Sequence, residues 1–79
     1  NIKMYPNPAT DLLHVQLTGI ALNNELLISI MDVNGKLVFQ KEMDSSKQIS
    51  IPLNRISKGN YQLIIQQGNQ LDHQAFLKH

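Results

Sequence analysis

Short runs in which apolar and polar residues alternate, each closed by a turn signal, recur along this chain and leave little room for helices. Leu13, Val15 and Leu17 alternate with His14 and Gln16; Ile49, Ile51 and Leu53 share a parity; Tyr61, Leu63 and Ile65 alternate with Gln62 and Gln66. Successive side chains of an extended backbone point to opposite faces, so a period of two buries one face of a strand and wets the other. No apolar stripe of helical period persists. Runs of this kind, spaced at roughly 8–12 residues, are the pattern of an all-β sandwich.

Seven strands follow from the punctuation. Residues 2–5 form a short first strand, ended by Pro6 and Pro8, which donate nothing to a ladder and push Tyr5 and Asn7 into extended geometry, so the loop is stiff. Residues 13–17 form the second and close at Thr18-Gly19, and Asn23-Asn24 marks the next turn. Residues 25–33 carry Leu26, Leu27, Ile28, Ile30 and Met31, apolar on both faces, which places this strand centrally and makes it the best core candidate. Asp32-Val33-Asn34-Gly35 turns the chain into 36–43.

Two geometries compete at that turn: a two-residue loop on Asn34-Gly35, or a three-residue loop with a bulge, Asp32 leading and Gly35 left-handed. A short carboxylate bonding the backbone two residues on favours the bulge, which is expected to put Val38 on the face of Ile28 and Ile30. After a polar loop at 44–46, residues 48–53 read as a strand in which Pro52 argues for an edge position or a strand end, and Ile56 as an apolar peg in a crossing segment. The strand from Tyr61 turns at Gly68-Asn69 into residues 70–78. The expected fold is all-β, a seven-stranded antiparallel immunoglobulin-like β-sandwich, without the Cys…Trp…Cys signature of antibody domains.

The 79 residues suit one domain over 1–79, and a chain of this size buries only about 60% of its unfolded surface. With no cysteine, neither disulfides nor a cysteine zinc site can reinforce it. The start at Asn1, without a basic or apolar leader, points to a piece of a longer precursor. No apolar run reaches the roughly 18 residues of a membrane span. Residues 1–44 carry three basic and five acidic groups, residues 45–79 four basic and one acidic. Lys47, Arg55, Lys58 and Lys78 are too dispersed for a nucleic-acid footprint.

No residue set points to catalysis. His14, His73 and His79 lack any second ligand at a metal-binding spacing, Asp32 and Asn34 are followed by Lys36 where a calcium loop needs further oxygens, and no serine sits in a nucleophile elbow. Gly35, Gly59 and Gly68 precede no helix and so make no phosphate cradle. Tyr61 reads first as a core residue that buries its ring, with a corner role, its hydroxyl sent back to the preceding loop as in several sandwiches, as the alternative. The chain reads as non-enzymatic, with no cofactor and no metal.

Three blocks in a fixed order remain. Tyr5, Pro6, Asn7, Pro8 and Ala9 come first; Asp32, Gly35, Lys36, Leu37 and Val38 follow; Ile56, Gly59, Tyr61, Leu63 and Ile65 come last. With Phe76, Leu77 and Lys78 near the end, they make the chain resemble the C-terminal sorting domain, type A, of the type IX (Por) secretion system of Bacteroidetes. Ala75 stands where that family usually has a basic residue, and His79 follows the last lysine.

The resemblance implies a signal that directs an upstream cargo protein through the outer membrane and is then removed by a sortase-like cysteine peptidase. The implied partners are that peptidase and an outer-membrane shuttle β-barrel, and the implied destination is the cell surface or the medium, reached through the periplasm. Phe76, Leu77 and Lys78 are the expected recognition residues; Tyr5, Pro6, Asn7, Pro8, Asp32, Gly35, Gly59 and Tyr61 are expected to be structural. A stiff proline loop suits a protease, and a terminal strand at a sheet edge suits strand addition by a partner. The alternative is a small immunoglobulin-like adhesion or carbohydrate-binding module attached to a secreted enzyme. It would need an exposed aromatic platform, for which only Tyr5, Phe39, Tyr61 and Phe76 are present.

Overall fold

Seven strands account for most of the computed structural model, which describes residues 2–18, 25–44 and 48–79. They are β1 (Ile2–Tyr5), β2 (Leu12–Leu17), β3 (Glu25–Asp32), β4 (Leu37–Asp44), β5 (Gln48–Pro52), β6 (Gly59–Gln67) and β7 (Gln70–Lys78). Gly19, the expected turn at Asn23-Asn24, and Ser45, Ser46 and Lys47 lie outside the described residues. One sheet has the order β1-β2-β5, the other β4-β3-β6-β7, and every strand pairing is antiparallel. The chain therefore changes sheet between β2 and β3, between β4 and β5, and between β5 and β6, the Greek-key path of immunoglobulin-like sandwiches.

The alternating residues form the contact between the sheets. Leu13, Val15, Leu17, Ile49 and Ile51 from one sheet meet Leu26, Ile28, Ile30, Tyr61, Leu63, Ile65 and Phe76 from the other in a single buried cluster. Fully burying an aliphatic side chain of this size is worth about 1.5–3 kcal/mol. In a chain with no covalent cross-link, that cluster is what holds the sheets together. Leu53 and Ile56 close one end: Leu53 N–H donates to the Asp11 carbonyl at 2.8 Å and Ile56 N–H to the Leu53 carbonyl at 3.2 Å, which seats Ile56 against the core. Pro52 ends β5 at the sheet edge, where a missing donor costs nothing.

β3 is central, as its apolar run requires, with Leu26, Ile28 and Ile30 fully buried toward the other sheet. Its outer face holds half-buried Leu27 and Met31 around Ser29, whose hydroxyl accepts a hydrogen bond from the Gln40 side-chain amide at 3.1 Å. The turn into β4 is the bulged form. Asp32 Oδ1 accepts the N–H groups of Asn34 and Lys36, both at 2.9 Å, the Asp32 carbonyl accepts Gly35 N–H at 3.0 Å, and Gly35 has φ +79°. The register then jumps between Ile30 and Met31: Ile30 faces Phe39, whereas Met31 faces Leu37. The expectation that Val38 lies on the face of Ile28 and Ile30 is corrected by this bulge, which sets Phe39 opposite Ile30 and leaves Val38 and Phe39 both half-buried against the core.

Candidate recognition site

The sequence blocks gather at one end of the sandwich. The register of β6 and β7 sets Gly59 opposite Lys78, Asn60 opposite Leu77 and Tyr61 opposite Phe76, while β3 sets Asp32 opposite Tyr61. Tyr61 and Phe76 face inward, 9% and 3% exposed, with rings stacked at 5.7 Å between centroids. Beside this core packing, the Tyr61 hydroxyl donates to the Ser57 carbonyl four residues back, so the core role and the corner role are both filled. Leu77 and Lys78 are half-buried. Gly59, with φ +148°, begins β6 in a backbone conformation that side-chain-bearing residues rarely adopt, and lets the chain turn from Lys58 directly into its pairing with Lys78.

The proline block reaches the same place. Pro6 and Pro8 carry no N–H, so the donors of this stretch are Asn7 and Ala9, and Ala9 uses its own on β7. Ala9 N–H donates to the Leu77 carbonyl at 2.8 Å, His79 N–H donates to the Ala9 carbonyl at 2.8 Å, and Leu77 N–H donates to Asn7 Oδ1 at 3.2 Å. The two backbone bonds make a one-residue parallel bridge between Ala9 and Lys78, and the Asn7 side chain adds its bond beside it. The Ala9 methyl is completely buried in the core cluster, while Pro6, Asn7 and Pro8 stay at the surface.

Alternate residues of a strand direct their backbone groups to opposite sides. Since Leu77 and His79 turn theirs toward the proline block, Leu71, His73 and Ala75 turn theirs to the same outer side, where no strand pairs among the described residues. The terminal strand is therefore an edge, but an edge covered over Leu77 to His79. Sequence reading treated the first block and residues 76–78 as separate elements. The signal that could have joined them is the spacing of the two prolines, which leaves donors only at alternate residues, as an edge-pairing segment needs.

Lys36, Arg55, Lys58 and Lys78 lie at this end with Asp11 and Asp32, whereas Glu25, Glu42, Asp44 and Asp72 lie toward the other. Asp32, Lys36, Val38, Arg55, Ile56 and Tyr61 line an open depression of about 490 Å³ beside the Asp32 turn. Its carboxylate is committed to its own backbone through Oδ1. Among the described residues no group of three or more His, Asp or Glu side chains could hold a metal ion. On the outer face of the other sheet, Tyr5 is 40% exposed and stacks on His14 at 5.2 Å, with Gln48 donating to its hydroxyl at 3.0 Å and Ser50 Oγ 3.0 Å from His14 Nδ1.

The profile of the family described as the secretion system C-terminal sorting domain matches residues 3–78, nearly the whole chain. The chain belongs to this family of type IX sorting domains. Membership implies export, engagement with the type IX secretion machinery and a secreted or cell-surface cargo. No curated protein matches. Among solved structures, a DUF3244-family protein of Bacteroides vulgatus ATCC 8482 with an immunoglobulin-like β-sandwich superposes on the sorting domain with a TM-score of 0.77 at 20% identity. The alignment covers 99% of this chain and 83% of that one. That likeness establishes the fold alone. Sorting signals and immunoglobulin-like sandwiches are non-catalytic kinds, and among the described residues no helix is long and apolar enough to cross a membrane.

Proposed function

We propose that this sorting domain is the terminal unit of a larger cargo, that it directs the cargo from the periplasm through the outer membrane without chemistry of its own, and that a sortase-like cysteine peptidase then removes it. An outer-membrane shuttle β-barrel reads residues Phe76, Leu77 and Lys78. The observation that carries this reading is the convergence on the end of β7 of two separate sequence blocks, the proline block and the Gly59–Tyr61 block. Phe76 acts as an anchor: its buried ring fixes the strand, so that Leu77 and Lys78 are offered in one extended conformation.

The test is a fusion of residues 1–79 to a periplasm-directed fluorescent reporter in a host with a working type IX system, compared with a fusion lacking residues 76–79. Delivery of the full fusion to the surface or medium, with the shortened one held in the periplasm, is the expected result. Retention of both rejects the reading and turns attention to the exposed Tyr5–His14 pair as part of an adhesion module.

A further inference from the structure

We infer that Asn7 and Ala9 are positioning residues of the sorting signal: by pairing with Leu77 and His79 they clasp the recognition segment to the sandwich, so that the signal is a composite of both ends of the domain and not a linear tail. This rests on the sorting function proposed above and adds residues to its signal. Without the clasp, the last residues of β7 would hang on β6 alone, with Leu77 and His79 backbone groups facing water, the usual setting for a fraying end. With it, the N–H and C=O of Leu77 and the N–H of His79 are all bonded, and the fully buried Ala9 methyl ties the clasp to the core. The bond from Leu77 to Asn7 spans 70 residues, so it can form only in the folded domain. A partner that binds Leu77 and Lys78 in extended form then meets them already ordered and is spared the entropy of ordering a loose end.

Asn7 is exposed, and its side chain contributes one acceptor, so Asn7→Ala removes the clasp's side-chain bond to Leu77 N–H without a core defect and leaves the two Ala9 backbone bonds in place. Asn7→Asp keeps an acceptor oxygen in the same place and serves as the rescue. Ile51→Val, in the core of the other sheet, serves as a stability-matched control. Two readouts are needed: amide exchange of the 79-residue chain, and export of the reporter fusion. In Asn7→Ala the Leu77 amide should exchange roughly fivefold faster, the loss expected for one net hydrogen bond. The Ile64 amide, inside the β3–β6 ladder, should not change.

Export should fall several-fold in Asn7→Ala and stay near the unsubstituted level in both Asn7→Asp and Ile51→Val. Normal export of Asn7→Ala, or an equal loss in Ile51→Val at a matched melting temperature, overturns the inference and leaves the clasp a purely structural joint. Failure of the unsubstituted fusion to leave the periplasm is a different result: it removes the sorting function itself, and this inference with it.

Discussion

Asp32 spends one carboxylate oxygen on two backbone donors, Asn34 and Lys36, while its carbonyl takes a third, from Gly35. The turn is thereby complete within five residues, which is why its bulged form was legible from sequence: each partner lies within four positions of the others. Asp32→Ala should cost about 1 kcal/mol in urea denaturation, the usual loss for a capping side chain, and Asp32→Asn distinctly less because an acceptor oxygen remains. Gly35→Ala should cost about 1–2 kcal/mol, and all of it is backbone strain at φ +79°, since an added Cβ would meet nothing within 4 Å. Gly35→Asn, which tolerates that region, should recover much of the loss. At Tyr61 the ring and the hydroxyl have separable duties. Tyr61→Phe keeps the stack on Phe76 and loses only the part-buried bond to the Ser57 carbonyl, so the expected cost is about 0.5–1.5 kcal/mol in the same assay. Ala9 was not legible in this way, because its partner lies at the far end of the chain.

β2, β3 and β6 could be read directly from their residues, because each buries a face and the burial forces alternation or, for β3, an apolar run. β4 could not. Its apolar residues Leu37, Val38 and Phe39 are consecutive, and whether a bulge or a slip absorbs the extra one depends on how Ile30 and Met31 meet it from the opposite strand. β7 shows almost no pattern, since Phe76 is its one buried residue and Leu71 is 59% exposed; its limits were given by the Gly68-Asn69 turn. The same strand offers a test of how its edge is divided. The amides of Leu71, His73 and Ala75 face outward and should exchange within the first time points of a native-state measurement. Those of Asp72, Gln74 and Phe76, directed at β6, should be protected by factors approaching global stability, and Leu77 should fall between the two groups because the clasp covers it. Uniform exchange along β7 would mean that the strand leaves the sheet as a unit.

The molecule as a whole works with a small reserve, for a chain of this size has about 4–12 kcal/mol of stability and no disulfide to add to it. Its two sheets share a single apolar cluster, so a cavity on one side should be felt on the other. Leu13→Ala tests this at the greatest remove from the recognition segment: Leu13 is fully buried in β2, in the sheet that does not contain β7. The substitution should cost about 2–5 kcal/mol and lower Tm by roughly 10 °C or more in a single transition seen alike by backbone and aromatic probes. Residues 76–78 are unchanged in that variant, so its export separates two ways of carrying an address. A signal read as a linear tail should work as well as before, or better if unfolding frees it. A signal that needs Phe76 seated beside Tyr61 and Leu77 clasped to Asn7 should fail once the sandwich opens, even though every residue of the recognition segment is still present. The arrangement of the blocks at one end of the fold favours the second outcome, with export falling in step with the folded fraction as temperature is raised through the transition.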